Sequence, residues 1–244
     1  MNPALTMATA RRILTQLRHD PRTVVMLIVV PSLLMVLLRF VFNSELVFSH
    51  VAPALLGVFP FLIMFLITSI TTLRERTTAT LERLMTLPIG RLDLLFGYAL
   101  AFGAIAVVQV ALAAGLSLAW LGLEITGSIG MLMLIAVLDA LLGMALGLFV
   151  SAFARTEFQA VQFMPLFVLP QILLCGLFMP RGQMGWLLNW LSDVMPLSYA
   201  VEALTRVTTS GSIDGVIVRN LLIVAACALA ALMLGAATLR RRTP

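Results

Sequence analysis

Six apolar runs constrain this chain more than any other feature. They fall at about Thr23–Phe42, Val51–Leu73, Leu94–Leu121, Ile129–Ser151, Phe158–Met179 and Val216–Leu239. Apolar stretches of about 18 residues or more are long enough to cross a bilayer. The chain is 61% hydrophobic, against about 45–50% for an ordinary soluble domain. Lipid offers the backbone no water to bond to, so each run is predicted to be a helix. The fold class is an all-α membrane protein, a single domain over residues 1–244 with six transmembrane helices.

Arginine placement orients those spans. Arg11, Arg12, Arg18 and Arg22 precede the first, and Arg74, Arg76, Arg83 and Arg91 follow the second. Arg155 follows the fourth, and Arg240, Arg241 and Arg242 follow the sixth. The alternate loops Asn43–His50 and Gly122–Ser128 carry no arginine. Positive residues favour the cytoplasmic side, so both termini are expected in the cytoplasm. All sixteen basic residues are arginine. A P-loop needs a lysine to reach the β- and γ-phosphates, so this chain carries no P-loop ATPase of its own.

Ahead of the first span, Ala10, Ile13, Leu14 and Leu17 recur at helical spacing, with Arg11, Arg12, Gln16 and Arg18 on the other face. This predicts an amphipathic helix lying in the inner membrane interface, although a basic flank that merely sets topology has the same composition. Asp20-Pro21 breaks it before the membrane. The first apolar run is too long for a cleaved signal peptide and reads as an uncleaved anchor. Cys175 and Cys227 sit in separate apolar runs and read as packing residues. His19 and His50 lie far apart and form no metal or nucleophile constellation.

Within the membrane, Asp139 falls midway along the fourth run. An acid at that depth costs roughly 2.5–3.5 kcal/mol, so it is expected to face a partner or a wet cavity. Two readings stand: a residue of the translocation path suited to cations, and a hydrogen-bonded group that holds helices together. Gln109, Gln159 and Gln162 are candidate partners or further lining of the path. Arg155 and Glu157 read as a structural pair. Pro53 and Pro60 in the second run, and Pro165 and Pro170 in the fifth, are expected to interrupt their helices. Gly143 and Gly147 have the spacing that lets two helices approach closely, or are incidental on a lipid-facing surface.

The segment Arg74–Asp93, RERTTATLERLMTLPIGRLD, is dense in charge for a chain that is 11% charged. Leu81, Leu84, Met85 and Pro88 mark one side of a short helix that Pro88-Ile89-Gly90 ends. An apolar stripe of this kind needs a cover, either the membrane surface or a groove on another protein. Its charges would fix register and partner choice.

Here the residues resemble a family. RERTTATLERLMTLPIGRLDLLFGY is similar to the cytoplasmic loop between spans two and three of type-2 ABC exporter permeases. Glu75, Arg76, Thr80, Glu82, Leu84 and Pro88 stand at that family's motif positions, and Ala79 replaces its usual glycine. HDPRTVVMLIVVP resembles the family's approach to its first span. FMPRGQMGWLLNWLSDVMPLSYAVEALTRV resembles its C-terminal signature through Pro180, Trp186, Leu187, Pro196, Leu197, Tyr199, Ala200 and Arg206, with Gly185 where proline is frequent.

The resemblance implies a permease subunit of an ATP-driven exporter in a bacterial inner membrane. Glu75, Arg76, Thr80, Leu81, Glu82, Leu84, Met85 and Pro88 would form a cytoplasmic coupling helix seated in a separate ATP-binding subunit, present in two copies and holding ATP and Mg. A second permease chain, identical or different, and membrane lipids complete the expected partners, with no nucleic acid and no cofactor in this chain. The segment Pro180–Gly215 would be a pair of re-entrant outer helices before the last span, with Trp186, Pro196 and Tyr199 at an outer gate. An ion-coupled secondary transporter, and more distantly a membrane enzyme, are the competing classes. A drug or lipid-like compound is the expected cargo.

Overall fold

The computed structural model of the chain describes residues 2–78 and 90–238. Among these residues every regular element is helical. They are α1 (Pro3–Arg18), α2 (Pro21–Phe42), α3 (Glu45–Thr77), α4 (Arg91–Ala119), α5 (Ile129–Val150), α6 (Glu157–Leu174), a 3₁₀ turn (Arg181–Gln183), α7 (Trp186–Val194), α8 (Pro196–Thr209) and α9 (Gly215–Thr238). Six of them, α2 to α6 and α9, are long and apolar enough to cross a membrane. The segment predicted as the coupling helix falls largely on residues 79–89 and lies outside the described residues.

Local chemistry sets the helix boundaries. The Asn2 side chain caps α1, and Pro3 takes its first position. Thr23 donates to Asp20 from its hydroxyl at 2.7 Å and its backbone N–H at 3.3 Å. These bonds cap α2 and hold the Asp20 carboxyl below its usual range, because both stabilise the charged form. Asn43, at φ 46°, closes α2 in the left-handed region, which asparagine tolerates better than most residues. Ser44 then caps α3.

Two spans differ in extent from the predicted ones. α3 has 33 residues, about 50 Å at 1.5 Å per residue, and so outruns the roughly 30 Å hydrocarbon core. It starts at Glu45 rather than Val51 because Ser44 caps it and the polar Ser49 and His50 lie inside the helix. α6 stops at Leu174, short of the predicted Met179. Ser192 donates to the Leu174 carbonyl at 2.8 Å, and the chain turns away through Gly176 at φ 97°. The prolines interrupt neither helix: α3 runs on through Pro53 and Pro60, and α6 through Pro165 and Pro170.

The core is built on α3 and α5. Their most apolar windows are 78% and 61% buried, against 22% for each of α2, α6 and α9. The latter three therefore present most of their surface outward. α3 and α5 run in the same direction and meet along Gly57, Phe61 and Phe65 on one helix and Asp139, Gly143 and Gly147 on the other. A Cβ on Gly143 would lie 2.3 Å from the Phe61 carbonyl oxygen, and one on Gly147 2.3 Å from that of Phe65. The two glycines are thus a close-contact seam and not an incidental lipid face.

α1 forms as predicted, but its cover is protein. Ala10, Ile13 and Leu17 are buried in a cluster with Leu94, Leu95 and Tyr98 of α4. Leu14 alone of the predicted stripe is exposed, at 38%. The apolar face that was expected to enter lipid is spent on α4 instead.

Candidate functional site

The two stems of the 79–89 segment come together at one end of the bundle, and α1 binds both. Arg12 donates to Glu75 through Nη1 at 3.2 Å and Nη2 at 3.4 Å. Glu75 is only 6% exposed, so its carboxylate is taken up within the chain. The second stem begins at α4, where Asp93 is buried. Its Oδ1 accepts from the Asn2 N–H at 2.8 Å and the Thr6 hydroxyl at 3.4 Å, and its Oδ2 from the Gly90 N–H at 3.2 Å. Thr9 packs so closely on Gly97 that a Cβ there would meet it at 2.6 Å. One helix thereby fixes the residues on both sides of the segment.

Removing Arg12 leaves Glu75 buried without its cation. Breaking a fully buried pair costs about 3–5 kcal/mol, and the partial exposure of Arg12 (25%) reduces this through solvent screening. Arg12→Ala is expected to destabilise by about 1–3 kcal/mol, and adding Glu75→Gln to restore part of the loss. Thermal unfolding of the four proteins in detergent measures the coupling. Additive effects would dismiss the pair.

Glu157 pairs with Arg74 rather than with Arg155. Arg74 Nε and Nη2 donate to the two carboxylate oxygens at 3.0 and 3.3 Å. The last turn of α3 faces the first turn of α6, whereas residues two apart point to different sides. The Arg155 backbone N–H instead donates to Gln159 Oε1 at 2.9 Å. Arg76 turns inward and donates through Nη2 to the Thr238 hydroxyl at the end of α9, at 3.5 Å.

Asp139 lies deep in the α3–α5 seam and is 0% exposed. Its Oδ2 stands 3.2 Å from where a Gly57 Cβ would be, beside Leu204 and Val201 of α8. Neither carboxylate oxygen has a hydrogen-bond partner among the described residues, and neither side-chain polar atom of the equally buried Gln109 has one. The expected glutamine partners do not reach it: Gln159 is at the exposed start of α6 and Gln162 is exposed one turn on. α6 begins at the α1 end, whereas Asp139 is level with the middle of α3. Two open clefts bracket this level along α3. One, of about 450 Å³, includes Ile67, Thr71 and Arg74. The other, of about 660 Å³, includes Leu46, Ser49 and His50.

Past α6, the sequence reading missed a charge network. Arg181 pairs with Asp193 and, at 3.1 Å, with Glu202. Arg206 pairs with Glu202 at 3.3 Å and with Asp214 at 3.1 Å. The guanidinium of Arg181 also covers the Tyr199 ring at 5.2 Å, and the Tyr199 hydroxyl donates to the Asp193 carbonyl at 2.7 Å. Tyr199 is therefore fastened into the network. Pro196 opens α8 next to it, and Trp186 projects outward at 82% exposure. The signal available was the alternation of sign from 181 to 214 in a charge-poor chain. Gln171 was also missed. It is 4% exposed, and its side chain links α6 to the Leu197 N–H at 3.4 Å.

Residues 3–208 match the family described as ABC-2 type transporter. The chain belongs to that family. Among its relatives is the probable multidrug ABC transporter permease YbhS of Escherichia coli (strain K12), 27% identical over 192 residues, which are 78% of this chain and 51% of that protein. The probable multidrug ABC transporter permease YbhR of the same strain is 26% identical over 166 residues, 62% of this chain and 45% of that one. ABC transporter G family member 20 of Dictyostelium discoideum is 25% identical over 169 residues, 69% of this chain and 23% of that protein. The chain thus spans about half, or less, of the length of these relatives. With its six apolar helices, this ABC-2 chain is a multi-pass membrane protein.

Proposed function

We propose that this ABC-2 chain is the membrane-spanning permease of an ATP-driven exporter. It would move a hydrophobic or amphipathic compound, drug or lipid-like, out of the cytoplasm or inner leaflet of a bacterial inner membrane. Both termini would be cytoplasmic. Two permease chains, alike or different, would work with two ATP-binding subunits, and ATP and Mg would sit on the latter. The observation that carries this reading is the hold of α1 on both stems of residues 79–89. A segment gripped at each side by buried bonds passes a push into α3 and α4 instead of absorbing it. The absence of lysine from these 244 residues adds support, since a P-loop needs one and ATP hydrolysis would then lie outside them. Thr80, Leu81, Glu82, Leu84, Met85 and Pro88 would make the contact, with Glu75 steadying its stem.

Transport would follow α3. Asp139 stands between the two clefts, where α3, α5 and α8 meet, and Gln109 is another buried side chain whose polar atoms lack partners among the described residues. Gln159 and Gln162 would line the approach on α6. Trp186, Pro196 and Tyr199 would belong to the outer gate, with α7 and α8 moving as the charge network allows. ATP binding on the partner would drive a rigid-body closure of this kind. Purification with native partners, followed by substrate-stimulated ATPase and vesicle efflux assays, tests the reading. Export that survives collapse of the proton gradient and stops without ATP is expected. Proton-driven export with no ATP requirement would favour the ion-coupled alternative, which the unpartnered Asp139 carboxyl otherwise suggests.

Asp139→Asn separates the two roles of that residue. Replacing the carboxyl with an amide, which cannot ionise when a cation arrives, is expected to reduce export of cations by about tenfold, the effect of roughly 1.4 kcal/mol, with a much smaller effect on neutral compounds. Parallel efflux assays measure the ratio. Equal losses for both classes would assign Asp139 to structure.

A further inference from the structure

We propose that the cleft where α3, α8 and the loop 122–128 meet binds an organic ammonium ion through Glu124. The cleft measures about 660 Å³ and lies at the end of the bundle away from α1. Glu45, Glu75, Glu157, Asp193, Glu202 and Asp214 each meet an arginine. Glu124, which lines the cleft, meets none among the described residues and accepts no hydrogen bond from them. Arg39 reaches the same loop at the Leu121 carbonyl, 3.1 Å away, but its charge is taken by Glu45.

The threonines around Glu124 have spent their protons. Thr205 donates to the Val201 carbonyl at 2.9 Å, Thr208 to the Thr205 carbonyl at 2.8 Å, and Thr209 to that same carbonyl at 2.9 Å. The Thr126 hydroxyl donates to the Thr208 carbonyl. Each of these oxygens keeps lone pairs to offer. Ser49 of α3 adds a carbonyl short of its helix bond, because Pro53, four residues on, has no N–H. The Ser49 hydroxyl and the His50 imidazole accept as well. Acceptors gathered around one free carboxylate fit a cation that donates N–H bonds. Leu46 and Ile125 give an apolar edge for the rest of the molecule. An anion would find no cation among these lining residues, and a quaternary ammonium has no proton for the acceptors.

Helical phase puts the cleft in line with Asp139. His50 is seven residues before Gly57 on α3. That is close to two turns, about 10.5 Å along the axis on nearly the same face. The Asp139 carboxylate lies against Gly57, and so does Val201 of α8. Thr208 is seven residues after Val201, again close to two turns on one face. Both helices therefore carry a single face from the Asp139 level to the cleft. A cation leaving Asp139 between α3 and α8 reaches Glu124 next. This role as an outer station rests on the export reading, whereas the binding itself does not.

The probes are a dansyl group on a pentyl chain that ends in ammonium, trimethylammonium or hydroxyl. Their fluorescence is titrated with the full chain in phosphatidylcholine nanodiscs, against empty nanodiscs. The ammonium probe is expected to bind about tenfold more tightly than the hydroxyl probe, the effect of one hydrogen bond to a charged group. The trimethylammonium probe should fall between them. Glu124→Gln should bring the three close together, and Glu124→Asp should keep most of the preference. Ile125→Trp, which fills the cleft, should weaken binding of all three. The proposal is overturned if Glu124→Gln leaves the preference unchanged, if the trimethylammonium probe binds as well as the ammonium probe, or if Ile125→Trp leaves binding unchanged. Should Glu124→Gln fail to fold, the wild type's ranking decides. Ammonium above trimethylammonium supports the site, and equal binding overturns it. No ATP and no partner chain enters this assay, so its failure leaves the export reading standing, and failure of ATP-driven export leaves the site standing.

Discussion

Gly143→Leu is expected to collapse the fold's central seam. The new Cβ would start 2.3 Å from the Phe61 carbonyl oxygen, and the obstacle is backbone, which has no rotamer to yield. α3 and α5 must then separate, and the contacts of Asp139 with the Gly57 level go with them. Overpacking of a core ordinarily costs about 1–3 kcal/mol and occasionally more, and this site belongs at or beyond the top of that range. Gly147→Leu meets the Phe65 carbonyl in the same way and should behave alike. Gly115 in α4 is the control, because nothing lies within 4 Å of a Cβ built there. Gly115→Ala should be neutral or stabilise by about 0.5–1 kcal/mol through helix propensity. Melting of the purified variants by fluorescence-detected size exclusion reads the difference. Equal losses at positions 143 and 115 would mean that the seam is not what holds the bundle.

The seam also shows where reading a sequence stops. Gly143 and Gly147 are visible as a spacing, but spacing does not say which helix fills the gap, and only the approach of Phe61 and Phe65 chooses. α1 follows the same logic. Periodicity identified Ala10, Ile13 and Leu17 as one face, yet an apolar face can be covered by lipid or by α4 with equal thermodynamic sense. The spans themselves were legible because the bilayer imposes length and polarity directly. The end of α6 was not legible. Cys175 to Met179 stay mostly apolar, and the stop comes from Ser192 reaching back across the chain. Arg74–Glu157 was missed for a related reason: the nearer Arg155 was a sequence neighbour with the wrong direction. Asp139 was conspicuous as a charge in an apolar run, and its lack of a partner became apparent only with its surroundings in place.

Leu84→Glu carries the other large expected effect. Leu84 belongs to the apolar stripe of RERTTATLERLMTLPIGRLD, between stems that α1 fixes through Glu75 and Asp93. If the stripe enters a groove on an ATP-binding subunit, a carboxylate there must be desolvated without a partner. Buried anchors at interfaces are worth about 2 kcal/mol or more, so the substitution should weaken association by roughly 30-fold or more. Arg83→Ala, outside the apolar stripe predicted from the sequence, should change little beyond the association rate. Melting temperature and membrane insertion of both variants are measured alongside, so that a lost contact is told apart from a lost fold. The decisive measurement is the amount of native ATP-binding subunit that co-purifies with the tagged chain from membranes. Capture by the wild type and loss with a correctly inserted Leu84→Glu is the predicted result. Undiminished capture by Leu84→Glu would contradict the account.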